Sequence, residues 1–154
     1  MSNEKQNTVL NKRIAIKETE PDAYQAMLGM EHYTSNSKLP QQLRELIKIR
    51  ASQINNCAYC IDMHTEEALK IGETQRRIFA ISAWKESPLF SEEERAVLQL
   101  TEEVTLISKD GVRDETYETV LNFYDENDLA QIIMQIIVIN SWNRIAVSTK
   151  MIYI

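Results

Sequence analysis

Residues 44–73 read RELIKIRASQINNCAYCIDMHTEEALKIGE, and this stretch predicts two helices joined by a tight turn. In the first helix, apolar residues recur at the three- and four-residue spacing of one helical face: Leu43, Leu46, Ile47, Ala51 and Ile54. The pair Asn55-Asn56 interrupts that pattern, and Asn56 is a favourable N-cap for a second helix that starts at Cys57. Gly72 then ends the second helix, as a left-handed glycine commonly does.

The chain on both sides of this stretch is also predicted to be helical. Pro21 opens one helix, and Pro40 suits the first turn of the helix that carries Leu43. Ser91 and Glu94 form the pattern of a capping box, which predicts another helix start. The other predicted helices span residues 21 to about 33, 74–85, about 113–124 and 128–150. We therefore predict an all-α fold, with a single domain over residues 21–154 and an extended or loosely ordered segment over residues 1–20.

Composition narrows the classes of function. The chain has 154 residues and a net charge of −6, without a Lys/Arg cluster that would follow a phosphate backbone, so we exclude nucleic-acid binding. Only three glycines and three prolines are present, which favours long helices. The N-terminus lacks the apolar core of a secretory signal. The most apolar run, residues 132–139, is too short to span a membrane and is predicted to lie in the core or in a subunit interface.

These features predict a cytoplasmic protein without membrane association. In a reducing cytoplasm, two cysteines do not normally form a permanent structural disulfide. This favours a catalytic, redox or metal-binding role for Cys57 and Cys60.

Cys57, Cys60 and His64 are spaced to share one face of a helix. Side chains three residues apart lie roughly 5–6 Å apart at their Cβ atoms, so a modest adjustment permits a disulfide. His64 lies one turn beyond Cys60 and is placed to take the proton of its thiol, which makes Cys60 the predicted nucleophile. Cys57, at the helix start, is placed to attack a sulfenic acid on Cys60 and close the disulfide.

Glu45 comes from the preceding helix. If the Asn55-Asn56 turn folds the two helices together, its carboxylate could orient His64 or accept its proton through water. The alternative is a solvated mid-helix glutamate, and spacing alone does not decide between them.

Two other interpretations of the CxxC remain open from the residues. The cysteines could be buried thiols without chemistry, or they could bind zinc with His64 and a fourth ligand from His32 or Glu45. Structural zinc usually gathers ligands from separated segments, whereas three would come here from two turns of one helix. Haem attachment requires a histidine directly after the second cysteine, and Ile61 stands there instead.

The stretch resembles the core of the AhpD-like alkylhydroperoxidase family, within the carboxymuconolactone decarboxylase superfamily. The family pattern is a glutamate, a CxxC whose first cysteine follows twelve residues later, and a histidine four residues past the second cysteine. Glu45, Cys57, Cys60 and His64 match every position. Residues 83–105 (AWKESPLFSEEERAVLQLTEEVT) and 139–149 (INSWNRIAVST) also look like small single-domain members, so the resemblance covers about residues 10–150.

This resemblance implies an AhpD-like helical bundle that assembles as a trimer, dimer or hexamer, and a cofactor-free thiol peroxidase cycle acting on small hydroperoxides. It assigns Cys60 as the peroxide-attacking residue, Cys57 as the resolving residue, and His64 with Glu45 as the proton relay. An external dithiol, from a lipoyl protein or a thioredoxin-like protein, would supply electrons. The alternatives are a redox-sensing or partner-binding protein, and a decarboxylase- or lactonase-like member of the superfamily.

One position departs from the family pattern. The founding peroxidases carry a second histidine between the cysteines, where this chain has Tyr59. A phenol does not shuttle protons near neutral pH as imidazole does, so the resemblance leaves room for weaker activity or another oxidant. Arg144 lies in a family-like tail motif, where it could face a carboxylate at an interface or serve packing or a surface ion pair.

Overall fold

The computed structural model describes residues 13–153, and every regular element in this range is helical. The predicted all-α fold is thus confirmed, with the CxxC at a helix start. The helices are α1 (Ile16–Thr19), α2 (Pro21–Ser35), α3 (Gln41–Ile54), α4 (Ala58–Lys70), α5 (Gln75–Ala80), α6 (Glu92–Thr105), α7 (Ile107–Asp110), α8 (Asp114–Leu121) and α9 (Glu126–Thr149), with a 3₁₀ turn at Ile81–Ala83. No helix within the described range combines the length and hydropathy needed to cross a lipid bilayer.

Helix α3 is the centre of the molecule and packs against α4, α6 and α9. Its apolar side chains enter three separate hydrophobic clusters: Ile47 joins one with α6, α8 and α9, Leu46 joins one with α5 and α6, and Ala51 joins one with both cysteines. Full burial of a leucine or isoleucine contributes about 1.5–3 kcal/mol. Leu43, Leu46, Ile47 and Ala51 of the predicted apolar face are buried. Ile49 and Ser52, which lie outside that face, are buried as well.

The turn between α3 and α4 differs by one residue from the prediction. Asn56 is not the N-cap of α4; it adopts a left-handed conformation with φ of 52° and ends α3. The N–H of Asn56 bonds the carbonyl of Gln53, and the N–H of Cys57 bonds the carbonyl of Ser52, which is the Schellman pattern. Cys57 is the N-cap of α4. Asparagine suits both positions, so sequence preference alone did not distinguish them.

Other helix ends follow the predictions closely. Gly72 has φ of 95° and ends α4, while Ser91 and Glu94 form the complete capping box of α6. The helix predicted over residues 74–85 ends sooner, at Ala80, and continues as the 3₁₀ turn. Helix α9 begins at Glu126, two residues earlier than predicted, because Asp125 caps it by accepting a hydrogen bond from the N–H of Asp128.

The segment predicted to be extended or loosely ordered covers residues 1–20, of which residues 1–12 lie outside the described residues. Of the remainder, α1 is a single helical turn, and the Arg13 guanidinium donates to the carbonyl of Ser148 near the end of α9 at 3.1 Å.

The apolar run at residues 132–139 lies largely in the core of this chain. Ile132, Ile136 and Ile139 are buried, whereas Ile137 faces outward with 39% of its surface exposed. The run therefore serves the core of the single chain, and one of its side chains also extends to the surface.

Candidate active site

Cys57 and Cys60 are joined by a disulfide, with 5.3 Å between their Cα atoms. Each residue has 1% of its surface exposed. Because Cys57 is the N-cap of α4, its sulfur accepts a hydrogen bond from the N–H of Cys60 at 3.3 Å. The helix start thus holds the Cys57 sulfur in place, close to peptide dipoles that favour a thiolate.

His64 lies one turn along α4 from Cys60 and contacts Glu45 across the α3–α4 interface. The distance from His64 Nδ1 to Glu45 Oε2 is 3.0 Å, and both side chains are buried. The turn at Asn56 folds α4 back against α3. This places Glu45 and His64, the two residues predicted to form the relay, in contact.

Lys48, one turn along α3 from Glu45, adds a buried positive charge. Its Nζ lies 3.1 Å from Glu45 Oε1 and 3.9 Å from Glu31 Oε1 on α2. Burial alone would raise the pKa of Glu45, but the hydrogen bond from His64 and the charge of Lys48 outweigh it and hold that pKa below its ordinary value of 4.5. Glu45 is consequently ionised at neutral pH.

A cavity of about 270 Å³ opens beside the disulfide, lined by Cys60 and His64. Cys57 is not among its lining residues, so Cys60 is the sulfur next to the space that a small molecule could occupy. Most of the remaining wall is apolar or aromatic, formed by Leu28, Tyr24, Tyr59, Met63, Trp142 and Met151. Glu31 also lines this cavity and accepts a hydrogen bond from the indole N–H of Trp142 at 3.0 Å.

A network of polar side chains fastens α9 behind the site. Asn143 donates to the Ser52 hydroxyl at 2.9 Å, and the side-chain amide of Asn55 lies 2.9 Å from the amide oxygens of both Asn140 and Asn143. These bonds tie the α3–α4 turn to α9, the helix that carries Trp142. Asn140 and Asn143 thus have a structural part in the predicted tail motif.

Arg144 is exposed and donates to the backbone carbonyl and side-chain oxygen of Asn140, at 3.0 and 2.9 Å. No ion pair joins it to a carboxylate within residues 13–153. Within the described chain, these contacts of Arg144 are local to α9.

Tyr59 packs edge-on against Tyr153, with ring centroids 5.6 Å apart. The Tyr153 hydroxyl in turn donates to Glu66 Oε2 at 2.7 Å. Tyr59 therefore anchors the segment after α9, whose Met151 lines the cavity.

His32, the other ligand considered for zinc, lies on the exposed side of α2 beside Asn36 and away from this cluster. Among the described residues, no three His, Cys, Asp or Glu side chains are grouped as a ligand set. The four residues predicted for the site lie together in pairs: the two sulfurs in one, His64 and Glu45 in the other.

Sequence reasoning missed Lys48, Glu31 and Trp142. Lys48 carried a local signal, since it lies three residues after Glu45 and four before Ser52, so that these polar residues share one side of α3. Glu31 and Trp142 come from α2 and α9, and no local pattern connects them to the CxxC.

Comparison with known proteins supports the family resemblance. The family model described as the carboxymuconolactone decarboxylase family matches residues 21–103. The uncharacterized protein YdfG of Bacillus subtilis is 45% identical over 139 residues, which cover 90% of this chain and 95% of YdfG. A crystal structure of an Agrobacterium tumefaciens protein of unknown function, suggested to be the antioxidant defence protein AhpD, is 37% identical with a TM-score of 0.91, covering 93% of this chain and 98% of that one.

A more distant likeness shows the fold alone. The debrominase Bmp8 is 20% identical with a TM-score of 0.79, and the match covers 89% of this chain and 74% of Bmp8. From the family match, the close relatives and the shared fold, we conclude that the chain belongs to the carboxymuconolactone decarboxylase family, as an AhpD-like member.

Proposed function

We propose that this protein is a thiol-dependent peroxidase that reduces small organic hydroperoxides through a Cys57–Cys60 dithiol–disulfide cycle. One observation carries the proposal: Cys60 and His64 line the same cavity, and Nδ1 of His64 lies 3.0 Å from the buried Glu45 carboxylate. A sulfur, a proton acceptor and a group that orients the acceptor are the parts that an activated thiol requires.

The ionised Glu45 determines which nitrogen of His64 is free. A carboxylate without a proton only accepts hydrogen bonds, so Nδ1 of His64 carries the hydrogen that is donated to Glu45. In the neutral imidazole, Nε2 is then unprotonated and can take the thiol proton of Cys60. Glu45 also stabilises the imidazolium that this transfer creates.

The proposed cycle begins with the reduced protein. The Cys60 thiolate attacks the outer peroxide oxygen, the O–O bond breaks, and an S–O bond forms, giving a sulfenic acid. The departing alkoxide takes the proton from His64 and leaves as an alcohol. The Cys57 thiol then attacks the Cys60 sulfur, which closes the disulfide and releases water.

An external dithiol must restore the reduced state. Two thiol groups supply two electrons and two protons by exchange, and the donor leaves as a disulfide. We propose a lipoyl protein or a thioredoxin-like protein as the donor. A reducing compartment, the cytoplasm, suits this step, and we propose that the protein acts there as a homo-oligomer.

Hydroperoxide consumption in the presence of excess dihydrolipoamide or dithiothreitol tests the proposal. The unmodified protein should turn over repeatedly, and Cys60→Ser should abolish turnover. In a separate reaction without added dithiol, reduced Cys57→Ser should consume one equivalent and stop, leaving a sulfenic acid that dimedone traps. Sustained turnover by Cys60→Ser would refute the assignment of the nucleophile.

The disulfide is also compatible with a redox sensor that responds to oxidation without catalysis. The same assay separates the two functions, because a sensor would be oxidised once and would not consume hydroperoxide at a steady rate.

A further inference from the structure

Glu31 introduces a carboxylate into an otherwise apolar cavity. It lies on α2, lines the cavity beside Cys60 and His64, and keeps 32% of its side chain exposed. Its Oε2 accepts the hydrogen bond from Trp142 Nε1 at 3.0 Å. The carboxylate is therefore held at the wall, where an entering molecule meets it.

The charge of Glu31 is only partly balanced. Lys48 is the nearest cation, but its Nζ lies closer to Glu45, at 3.1 Å, than to Glu31, at 3.9 Å. Two carboxylates thus share one ammonium group. With a neutral His64, the charges of Glu31, Glu45, Lys48 and His64 sum to −1. Among the described residues that line the cavity, Glu31 is the one permanently charged side chain.

We propose that Glu31 determines substrate specificity by charge, so that the site accepts neutral hydroperoxides with an apolar body and disfavours those that bear a carboxylate. This inference rests on the proposed peroxidase function and deepens it. The aromatic and aliphatic wall suits a hydrocarbon group, whereas a second negative charge would enter a poorly solvated space beside Glu31. A charge several ångströms away at a partly exposed site changes the rate for an anion by about tenfold.

The competing interpretation is that Glu31 only anchors Trp142. Two variants separate the roles. Glu31→Gln keeps an oxygen that can accept the indole hydrogen bond but removes the charge. Trp142→Phe removes the indole donor and keeps the charge. A charge effect should disappear in the first variant and persist in the second.

Alkylation of Cys60 tests the inference without relying on peroxidase turnover. The protein used is reduced Cys57→Ser, which has one thiol. Its alkylation rate with neutral iodoacetamide is divided by its rate with anionic iodoacetate. This ratio should exceed the ratio for glutathione by about tenfold, and adding Glu31→Gln should bring it close to the glutathione value. Glu92→Gln removes a carboxylate with 83% of its side chain exposed on α6 and should leave the ratio unchanged.

Ionic strength provides a second readout without a change at Glu31. Raising the salt concentration from about 20 mM to about 500 mM should reduce the ratio in the Cys57→Ser protein, because salt screens a charge at a partly exposed site. Two results would overturn the inference. One is an alkylation ratio in the Cys57→Ser protein that equals the ratio measured for glutathione; the other is a ratio that Glu31→Gln leaves unchanged.

Substrate pairs extend the test to the proposed reaction. Cumene hydroperoxide should be reduced faster than a carboxylate-bearing analogue, and Glu31→Gln should narrow the difference by about tenfold. If neither hydroperoxide is consumed, the peroxidase proposal fails while the alkylation ratio still tests the charge of the cavity. If both hydroperoxides are consumed and Glu31→Gln leaves the ratio of their reduction rates unchanged, the specificity inference alone fails.

Discussion

At the scale of single residues, Lys48 connects the two carboxylates of the site. Its ammonium group is buried on α3 and lies within 4 Å of both Glu45 and Glu31. A buried carboxylate is costly unless it is paired and hydrogen-bonded. Glu45 meets that cost with two partners, His64 and Lys48. Lys48 thus stabilises the carboxylate that His64 contacts.

Replacing Lys48 with methionine should therefore destabilise the fold. The variant keeps a similar length of side chain but leaves Glu45 with one partner, and breaking a buried pair typically costs about 3 kcal/mol. The free energy of unfolding in urea measures the loss. Lys70→Met is the matched control, since Lys70 pairs with Glu66 and Glu67 at an exposed position and should change stability little. Equal losses in the two variants would contradict the structural importance of Lys48.

The lowered pKa of Glu45 predicts a pH dependence of stability. A carboxyl whose pKa is lower in the folded state stabilises the fold above its unfolded pKa, and that contribution is lost as pH falls through the folded value. Compared with Glu45→Gln, the unmodified protein should thus be more stable at pH 7, and the difference should shrink below the ordinary pKa of 4.5. Urea unfolding of both proteins between pH 7 and about pH 3 measures it. A difference that stayed constant over this range would show that the carboxylate is not stabilised.

At the scale of elements, the site depends on the turn that ends α3 and starts α4. Asn56 adopts the left-handed conformation, and Cys57 can then cap α4 with its sulfur. A side chain branched at Cβ is strained in that conformation by about 1–2 kcal/mol. The turn thus links a local backbone preference to the position of the Cys57 sulfur.

Asn56→Val should lower the free energy of unfolding by about 1–2 kcal/mol, whereas Asn56→Gly should be tolerated. Asn122→Val is the matched control, because Asn122 is an exposed asparagine at the end of α8 with φ of −69°. Chemical denaturation of the three variants checks this expectation. If the two valine variants lose the same stability, the strain at Asn56 is not the cause.

Sequence alone predicts α3, α4 and the turn between them, because apolar residues recur at the helical period. Leu43, Leu46 and Ile47 illustrate this, and all three are buried. It could not decide whether Asn56 ends one helix or begins the next, since asparagine is favourable in both places. Nor could it place Glu31 and Trp142 at the cavity. Their contact joins α2 to α9 over 111 residues of chain, and only the packing of whole helices determines such a pairing.

At the scale of the whole molecule, the Cys57–Cys60 disulfide is built into a hydrophobic cluster. Cys57 and Cys60 pack with Ala51, Ile139 and Ala146, and α3 and α9 supply those neighbours. The long helix α9 therefore supports both the general core, through Ile136, and the cluster around the disulfide.

Adjacent isoleucines on α9 separate its core role from a role in assembly. Ile136 is fully buried and Ile137 is 39% exposed. In the single chain, Ile136→Ala should cost about 2–5 kcal/mol, while Ile137→Ala should cost much less. Thermal unfolding at several protein concentrations measures both. A large loss for Ile137→Ala that depends on concentration would place that side chain in a subunit interface.

We propose that a hydroperoxide oxidises the sulfurs of Cys57 and Cys60 together, so that they form the disulfide. Trypsin releases both cysteines in one peptide, residues 51–70, so mass spectrometry after one equivalent of cumene hydroperoxide tests it directly. Starting from fully reduced protein, we predict that this peptide loses two hydrogens, and that it gains one oxygen in Cys57→Ser. A peptide of unchanged mass beside unconsumed hydroperoxide, or an added oxygen that persists with both cysteines present, would contradict the account.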